Sequence, residues 1–175
     1  LDISPVQNLY SEIEVPLIPI LAEMELYGIR VDVDALQILS TELDEQIEVL
    51  RKKMYEEAGQ EFNLNSTKQF AQILYEERGL KPIKKTTTGY SPNSQTLELL
   101  RTRYDDPILK YMQDYREIAK LKGTYIDALP KFVDSDGRIH TSLHQAVAET
   151  GRLSSSDPNL QNIPIRTMTG RKIRS

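Results

Sequence analysis

Residues 150–166 read T-G-R-L-S-S-S-D-P-N-L-Q-N-I-P-I-R, and the interpretation of the whole chain turns on them. Arg152, Asn159, Gln161 and Asn162 stand along a backbone punctuated by Gly151, Pro158 and Pro164, with three consecutive serines among them and too few apolar residues for a core element. Arginine presents a planar fork of donors that never loses its charge, and Asn and Gln carry both donor and acceptor. The set therefore suits a ligand bearing phosphates and heterocycle edges, nucleic acid first among such ligands. A surface loop whose Ser, Asp, Asn and Pro only make turns would share much of this composition. The density of side-chain amides favours contact over a bare turn.

Immediately upstream, Asp134–Gly137 forms a turn signal, and R-I-H-T-S-L-H-Q then alternates as a strand does, with Ile139, Thr141, Leu143 and Gln145 against His140, Ser142 and His144. This predicts the start of a sheet. The two histidines fall on one face of that strand with no carboxylate or third ligand spaced near them, which marks them as ordinary strand residues rather than metal or acid–base groups.

Further back, a helix is predicted from about Pro107 to Leu129. At 100° per residue Arg116, Lys120, Gly123 and Thr124 share an arc of roughly 100°, and Tyr115, Ile118, Ala119, Tyr125, Ile126 and Leu129 occupy the other side. One face is thus cationic with small residues, either a phosphate-contacting surface or a solvated one. Gly123 costs about 1 kcal/mol of helix propensity relative to Ala, so it marks a close approach or a local break.

A second long helix is predicted from about 34 to 58, where Leu36, Leu39, Leu43, Ile47, Leu50 and Met54 recur at spacings of three and four up to Gly59. Asp32 or Asp34 can cap it, and its apolar stripe demands a partner helix. Between the two, Ser66 and Gln69 have the spacing of a capping box at the start of a helix over Thr67–Arg78, which Gly79 closes. A helix N-terminus attracts phosphate, and Asn63, Asn65, Ser66 and Lys68 surround this one. Capping explains Ser66 and Gln69 but leaves the two asparagines over. Residues 81–94, K-P-I-K-K-T-T-T-G-Y-S-P-N-S, read as a surface loop able to track a sugar-phosphate chain or to serve only as a solvated linker, with a short amphipathic helix after it at 95–103. Near the N-terminus, residues 6–27 read as a helix kinked or restarted by Pro16 and Pro19 and ended by Gly28, and Ile29–Asp32 as a short extended piece.

Composition bounds the function classes. The absence of Cys excludes disulfides and thiolate metal sites, and two His make a zinc centre improbable. No apolar run approaches the roughly 18 residues of a membrane span, so a cytoplasmic protein with no membrane partner is expected. Four basic and 14 acidic residues lie in 1–65, 13 and 11 in 66–150, and five and one in 151–175, so the overall charge of -4 conceals a basic C-terminal stretch that can meet a phosphate backbone.

Four motifs in order, F-N-L-N-S at 62–66, G-Y-S at 89–91, R-E-I-A-K-L-K-G-T-Y-I-D at 116–127 and T-G-R-L-S-S with P-N-L-Q-N-I-P in 150–164, resemble those of family A DNA polymerases, the bacterial DNA polymerase I type. The resemblance covers nearly the whole chain. It implies an α+β, mainly helical fold in which a connecting segment (1–33) leads to a thumb of long antiparallel helices (34–133) and then to the first antiparallel strands of a palm sheet (134–175). It implies that Asn63, Asn65, Ser66 and Lys68 contact the primer-template backbone, as do Arg116, Lys120 and Thr124, and that Arg152, Asn159, Gln161 and Asn162 contact the primer-template near the growing end. Many members carry Ser where this chain has Gly123. Every Watson–Crick pair presents an acceptor at nearly equivalent minor-groove positions, so donors aimed there test pair geometry without reading sequence.

Nucleotidyl transfer from deoxynucleotides needs paired carboxylates holding two divalent ions, Mg2+ in the complete enzyme. The resemblance implies that these lie beyond the R-K-I-R at 171–174, with the nucleotide-binding fingers between them, so the present stretch is expected to be inactive alone. Asp157, the one acid after Glu149, reads as a turn former. The resemblance also implies roles in replication and repair and a nucleoid-associated location. Two other readings remain open: a non-catalytic nucleic-acid-binding module or split-polymerase subunit, and a helical interaction protein.

Overall fold

A computed structural model describes residues 4–83, 92–165 and 167–174; the G-Y-S motif and most of the predicted 81–94 loop lie outside them. In chain order the elements are α1 (Ser4–Leu9), α2 (Val15–Tyr27), β1 (Ile29–Arg30), α3 (Val33–Ala58), α4 (Thr67–Gln72), α5 (Ser94–Arg103), α6 (Pro107–Leu121), β2 (Arg138–Ile139), β3 (Ser142–His144), β4 (Ser154–Ser156) and α7 (Met168–Arg174). Widened π turns follow α1, α4 and α6 at Tyr10–Glu14, Ile73–Glu77 and Lys122–Ile126, and a 3-10 turn spans Leu129–Phe132. The fold is α+β and mainly helical, with two small antiparallel sheets among the described residues. Two compact units divide it, Ser40–Lys122 and Leu1–Leu39 with Gly123–Ser175.

In the unit Ser40–Lys122 the apolar stripes meet as their spacing requires. The helix α3 begins before this unit, where Asp32 Oδ1 accepts from the Ala35 N–H at 2.9 Å and caps it, so of the two candidate caps the first is used. Along α3 Leu43 and Met54 are fully buried and Ile47 and Leu50 half-buried, and Gly59 ends the helix with φ +69°. Lys53 Nζ sits over the Tyr111 ring at 5.5 Å and Lys122 Nζ lies 3.3 Å from Asp44, so α6 runs antiparallel to α3. Between them Phe62, Phe70, Leu74, Leu97, Leu100, Ile108, Leu109 and Met112 complete the core, with Phe62 and Phe70 stacked at 6.1 Å. Each such side chain stabilises the fold by about 1.5–3 kcal/mol. Leu97 and Leu100 carry the buried face of α5, while Leu99 is exposed.

One charged group crosses this unit. Arg78 donates from Nε and Nη2 to both carboxylate oxygens of Asp106 at 2.7 Å, and from Nη1 to the Glu57 carbonyl at 2.5 Å. The hydrogen bond to Asp106 raises the Arg78 pKa above its already high value. Asp106 Oδ1 also accepts from the Ile108 N–H at 3.1 Å and so caps α6. One carboxylate thereby fixes both the start of α6 and the chain leaving α4.

The unit containing both termini departs more from expectation. The predicted strand over 138–145 is broken, because β2 pairs with β1 (Ile29 opposite Ile139) whereas β3 pairs with β4 (Leu143 opposite Ser155). His140 and Thr141 lie at the break, so His140 and His144 do not share one strand. The serines expected in an irregular stretch form β4, with Ser155 buried.

Contrary to the spacing, two carboxylates do lie near His140. His140 Nε2 is 3.4 Å from Asp134 and 4.0 Å from Asp136, three exposed groups whose ligand atoms lie within 4.8 Å of one another. The cause is the 134–137 turn, in which the Asp136 N–H bonds back to Asp134 Oδ1 at 2.9 Å and swings both acids under the ring. Hydrogen bonding with Asp136, through side chain and backbone, holds the Asp134 carboxyl below the usual range. On its other side the His140 ring bonds through Nδ1 to the Glu25 carbonyl at 2.7 Å, closing the last turn of α2. Gly28 (φ +65°) is required there, since a Cβ would stand 2.8 Å from that ring.

Candidate nucleic-acid interface

The residues singled out in the sequence fall into two groups, one in each unit. Asn63, Asn65, Ser66, Lys68, Arg116 and Lys120 belong to Ser40–Lys122; Thr124, Arg152, Asn159, Gln161 and Asn162 belong to the other.

In the first group the capping box forms in altered shape. The Gln69 N–H donates to Ser66 Oγ at 3.3 Å, but Gln69 Oε1 reaches back past Ser66 to the Asn63 N–H at 2.7 Å. Asn63 Oδ1 accepts from the Asn65 N–H at 2.9 Å, an Asx turn, and Asn65 Oδ1 accepts from the Tyr115 hydroxyl of α6 at 3.0 Å. Both asparagines left unexplained by capping thus hold the loop through their carbonyl oxygens, so what they offer a ligand is the amide NH2 end. Asn63, Asn65 and Lys68 are exposed and Ser66 half-buried.

Arg116 does not lie on an open basic face as its spacing suggested. It is half-buried: Nη1 donates to the Pro92 carbonyl, and the guanidinium sits 5.7 Å from the Phe70 ring. Burial lowers its pKa, offset in part by Tyr115. Lys120, one turn on, is exposed.

The π turn Lys122–Ile126 resolves the role of Gly123. Nothing lies within 4 Å of where its Cβ would be, so among the described residues Gly123 answers to the break in helical geometry rather than to a close neighbour. The turn exposes Thr124 and buries Tyr125, whose hydroxyl donates to the Asn162 carbonyl at 2.6 Å.

Asn162 belongs to the second group. Asn159 Oδ1 accepts from the N–H groups of Gln161 (3.1 Å) and Asn162 (3.3 Å), which folds 159–162 into a tight turn. Ser155 Oγ accepts from the Leu160 N–H at 3.1 Å, and the Thr141 hydroxyl meets the carbonyls of Ser156 (3.0 Å) and Pro158 (2.8 Å). His144 Nε2 lies 2.8 Å from Ser156 Oγ. On the far side Arg171 Nε donates to the Ile165 carbonyl and Arg174 Nη2 to that of Ile163, and Gly170 admits the Pro164 carbonyl where a Cβ would collide. Arg152, Asn159, Gln161 and Asn162 are all exposed on this frame. Gln161 also edges a groove of about 960 Å3 floored by Met24, Leu26, Leu153 and Leu160.

Sequence reasoning missed Tyr115, Tyr125 and Thr141. Each occupies a position whose spacing reads as core, and the partners of the two tyrosine hydroxyls lie 50 and 37 residues away. A tyrosine where Phe or Leu would fill the same space was the one available signal, since a buried phenol needs a partner.

Comparison with known proteins gives the chain a lineage. The profile of DNA polymerase family A matches residues 33–175. The chain is 49% identical over 168 residues to DNA polymerase I of Bacillus subtilis (strain 168), covering 95% of this chain and 19% of that protein. It is 50% identical over 165 residues to DNA polymerase I of Pseudomonas aeruginosa, covering 94% and 18%. Among solved structures, the POL domain of Pol1 from M. smegmatis, in complex with DNA primer-template and dNTP, matches with a TM-score of 0.87 at 42% identity, covering 98% of this chain and 30% of that one. The chain spans about a fifth of the length of the curated relatives it matches. Among the described residues no helix is long and apolar enough to cross a membrane. With the matched region running from the first residue of α3 to the last of the sequence, the chain belongs to DNA polymerase family A.

Proposed function

We propose that residues 34–133 are the thumb and 134–175 the opening of the palm of a DNA-directed DNA polymerase, joined to 1–33 as a connecting segment, and that the chain holds primer-template DNA. The observation that carries this reading is the division of labour at 159–162. Asn159 Oδ1 and the buried groups Tyr125 and Ser155 hold the turn, and the side chains of Gln161 and Asn162, with Arg152 nearby in sequence, are left exposed as amide and guanidinium donors, the groups that meet minor-groove acceptors. Asn63, Asn65, Ser66, Lys68, Arg116, Lys120 and Thr124 then take the phosphates, which fixes position without reading sequence. A mispaired end displaces the minor-groove acceptors and leaves donors poorly matched, at about 1–3 kcal/mol each.

Deoxynucleotide transfer belongs in this reading to the complete enzyme, where a pair of divalent ions, Mg2+ by expectation, would supply charge stabilisation for the transfer. Among the described residues the cluster of ligating type, Asp134–Asp136–His140, does not fit that pair. Its two carboxylates, Asp134 and Asp136, come from one exposed turn and are bonded to each other there, and Asp157 accepts from the Ser156 hydroxyl at 3.1 Å in a turn of its own. The metal-holding carboxylates and the nucleotide-binding fingers are therefore assigned to polypeptide outside these 175 residues. A replication or repair role and a nucleoid location follow from the same reading.

Titration of labelled primer-template with the purified chain over a salt series tests it. Log affinity should fall linearly with log salt, by about 0.9 per phosphate contact. Binding indifferent to salt would contradict the reading, and primer extension by the purified chain with magnesium would contradict the assignment of the carboxylates elsewhere.

A further inference from the structure

We propose that Tyr125 is a positioning residue that sets the register of the Asn159–Asn162 turn and thereby the discrimination between paired and mispaired primer ends; this rests on the minor-groove reading above. Tyr125 is only 7% exposed, so it contributes no surface to a ligand. Its hydroxyl holds the carbonyl of Asn162 at 2.6 Å, whereas the N-terminal side of the turn is anchored separately through Thr141 to the carbonyls of Ser156 and Pro158. Asn159 closes the turn internally. Of the hydrogen bonds fixing 159–162, that of Tyr125 ties the C-terminal end to a helical segment. The π turn that carries it presents Thr124 outward at the preceding position. One widened turn therefore offers a hydroxyl to the proposed phosphate path and, next to it, a hydroxyl that sets where the proposed reading side chains stand.

Hydrogen bonds weaken steeply with distance and angle. A turn released at its C-terminal end should keep its donors but lose their aim, so loss of the tether should erase discrimination more than binding. A contact residue and a purely structural residue would behave differently: the first changes the salt slope or the affinity itself, the second changes stability alone.

The test is Tyr125→Phe in the 175-residue chain, which keeps the buried ring and deletes the hydroxyl. Hydrogen exchange at the amides of Leu160, Gln161 and Asn162 should quicken, and the affinity ratio of matched over mismatched primer ends should fall about five-fold, the worth of one net hydrogen bond. The salt slope should stay that of the unmodified chain, because no phosphate contact is lost. Gln161→Ala, measured beside it, separates the two claims. If Gln161→Ala loses discrimination while Tyr125→Phe keeps both its exchange rates and its ratio, the positioning role is overturned. If Gln161→Ala keeps discrimination, the minor-groove reading falls and the Tyr125 proposal falls with it, whatever the exchange rates show of the tether.

Discussion

Around Arg116 the charged side chain is part of the packing: it bonds to the Pro92 carbonyl, lies against the Phe70 ring, and is half-buried in a unit whose core closes beneath it. Around Asn159–Asn162 most of the holding is done by Tyr125, Thr141 and Ser155, and the exposed donors of Arg152, Gln161 and Asn162 stand outside it. In the proposed reading, contact and support are fused at Arg116, whereas in the second region only Asn159 carries both duties. A phosphate backbone is a broad, undirected target, so a residue with two duties can still meet it. A base edge demands aim, and aim is better kept by groups that never touch the ligand.

The contrast is sharpest in stability. Asp106→Ala removes the bidentate partner of Arg78, which keeps Glu57, and the cap of α6, and should cost about 2–4 kcal/mol in urea unfolding. Asn159→Ala removes one carbonyl from an exposed turn and should cost about 1 kcal/mol. Equal losses would mean that the two regions are held alike.

Within the helical unit, Arg116→Ala should lower both stability, by about 2–3 kcal/mol, and primer-template affinity. Lys120→Ala should leave stability within about 0.5 kcal/mol and reduce the salt slope by about one. Should Arg116→Ala unfold at the same urea concentration as the unmodified chain, its fused role is wrong.

A smaller effect concerns the 134–137 turn. Because folding depresses the Asp134 pKa through its bonds with Asp136, the turn gains stability above the unfolded-state pKa and loses it as the pH falls through the lower folded value. An NMR titration should place the Asp134 midpoint below the ordinary carboxylate range, and Asp136→Ala should raise it. A midpoint at or above that range would contradict the hydrogen bonding observed.

Much of this was legible in the chain. The stripe on α3, a cap at one of Asp32 and Asp34, the glycine stops at Gly59 and Gly79 and the Ser66 half of the capping box are local, and local spacing predicted them. What escaped reading depends on long separation. Alternation over 138–145 cannot show that Ile139 faces Ile29 while Leu143 faces Ser155, so one strand was expected where two sheets share the run. Nor does helical phase show that Arg116 turns in to Pro92, or that His140 meets Glu25 across 115 residues. The side chains of the second region stood out in the sequence through their density of amides, and the structure leaves Arg152, Gln161 and Asn162 exposed. Their supports were hidden because each looked like core.

The measurement that bears most directly on the division between positioning and reading is a salt-series titration of matched and mismatched primer ends with Lys120→Ala and Gln161→Ala. Lys120→Ala should weaken both ends equally and lower the salt slope by about one. Gln161→Ala should lose on the order of 1–3 kcal/mol more for the matched end than for the mismatched one, with the slope unchanged. Equal losses at the two ends in Gln161→Ala would contradict the account and leave a polar contact that does not sense pairing.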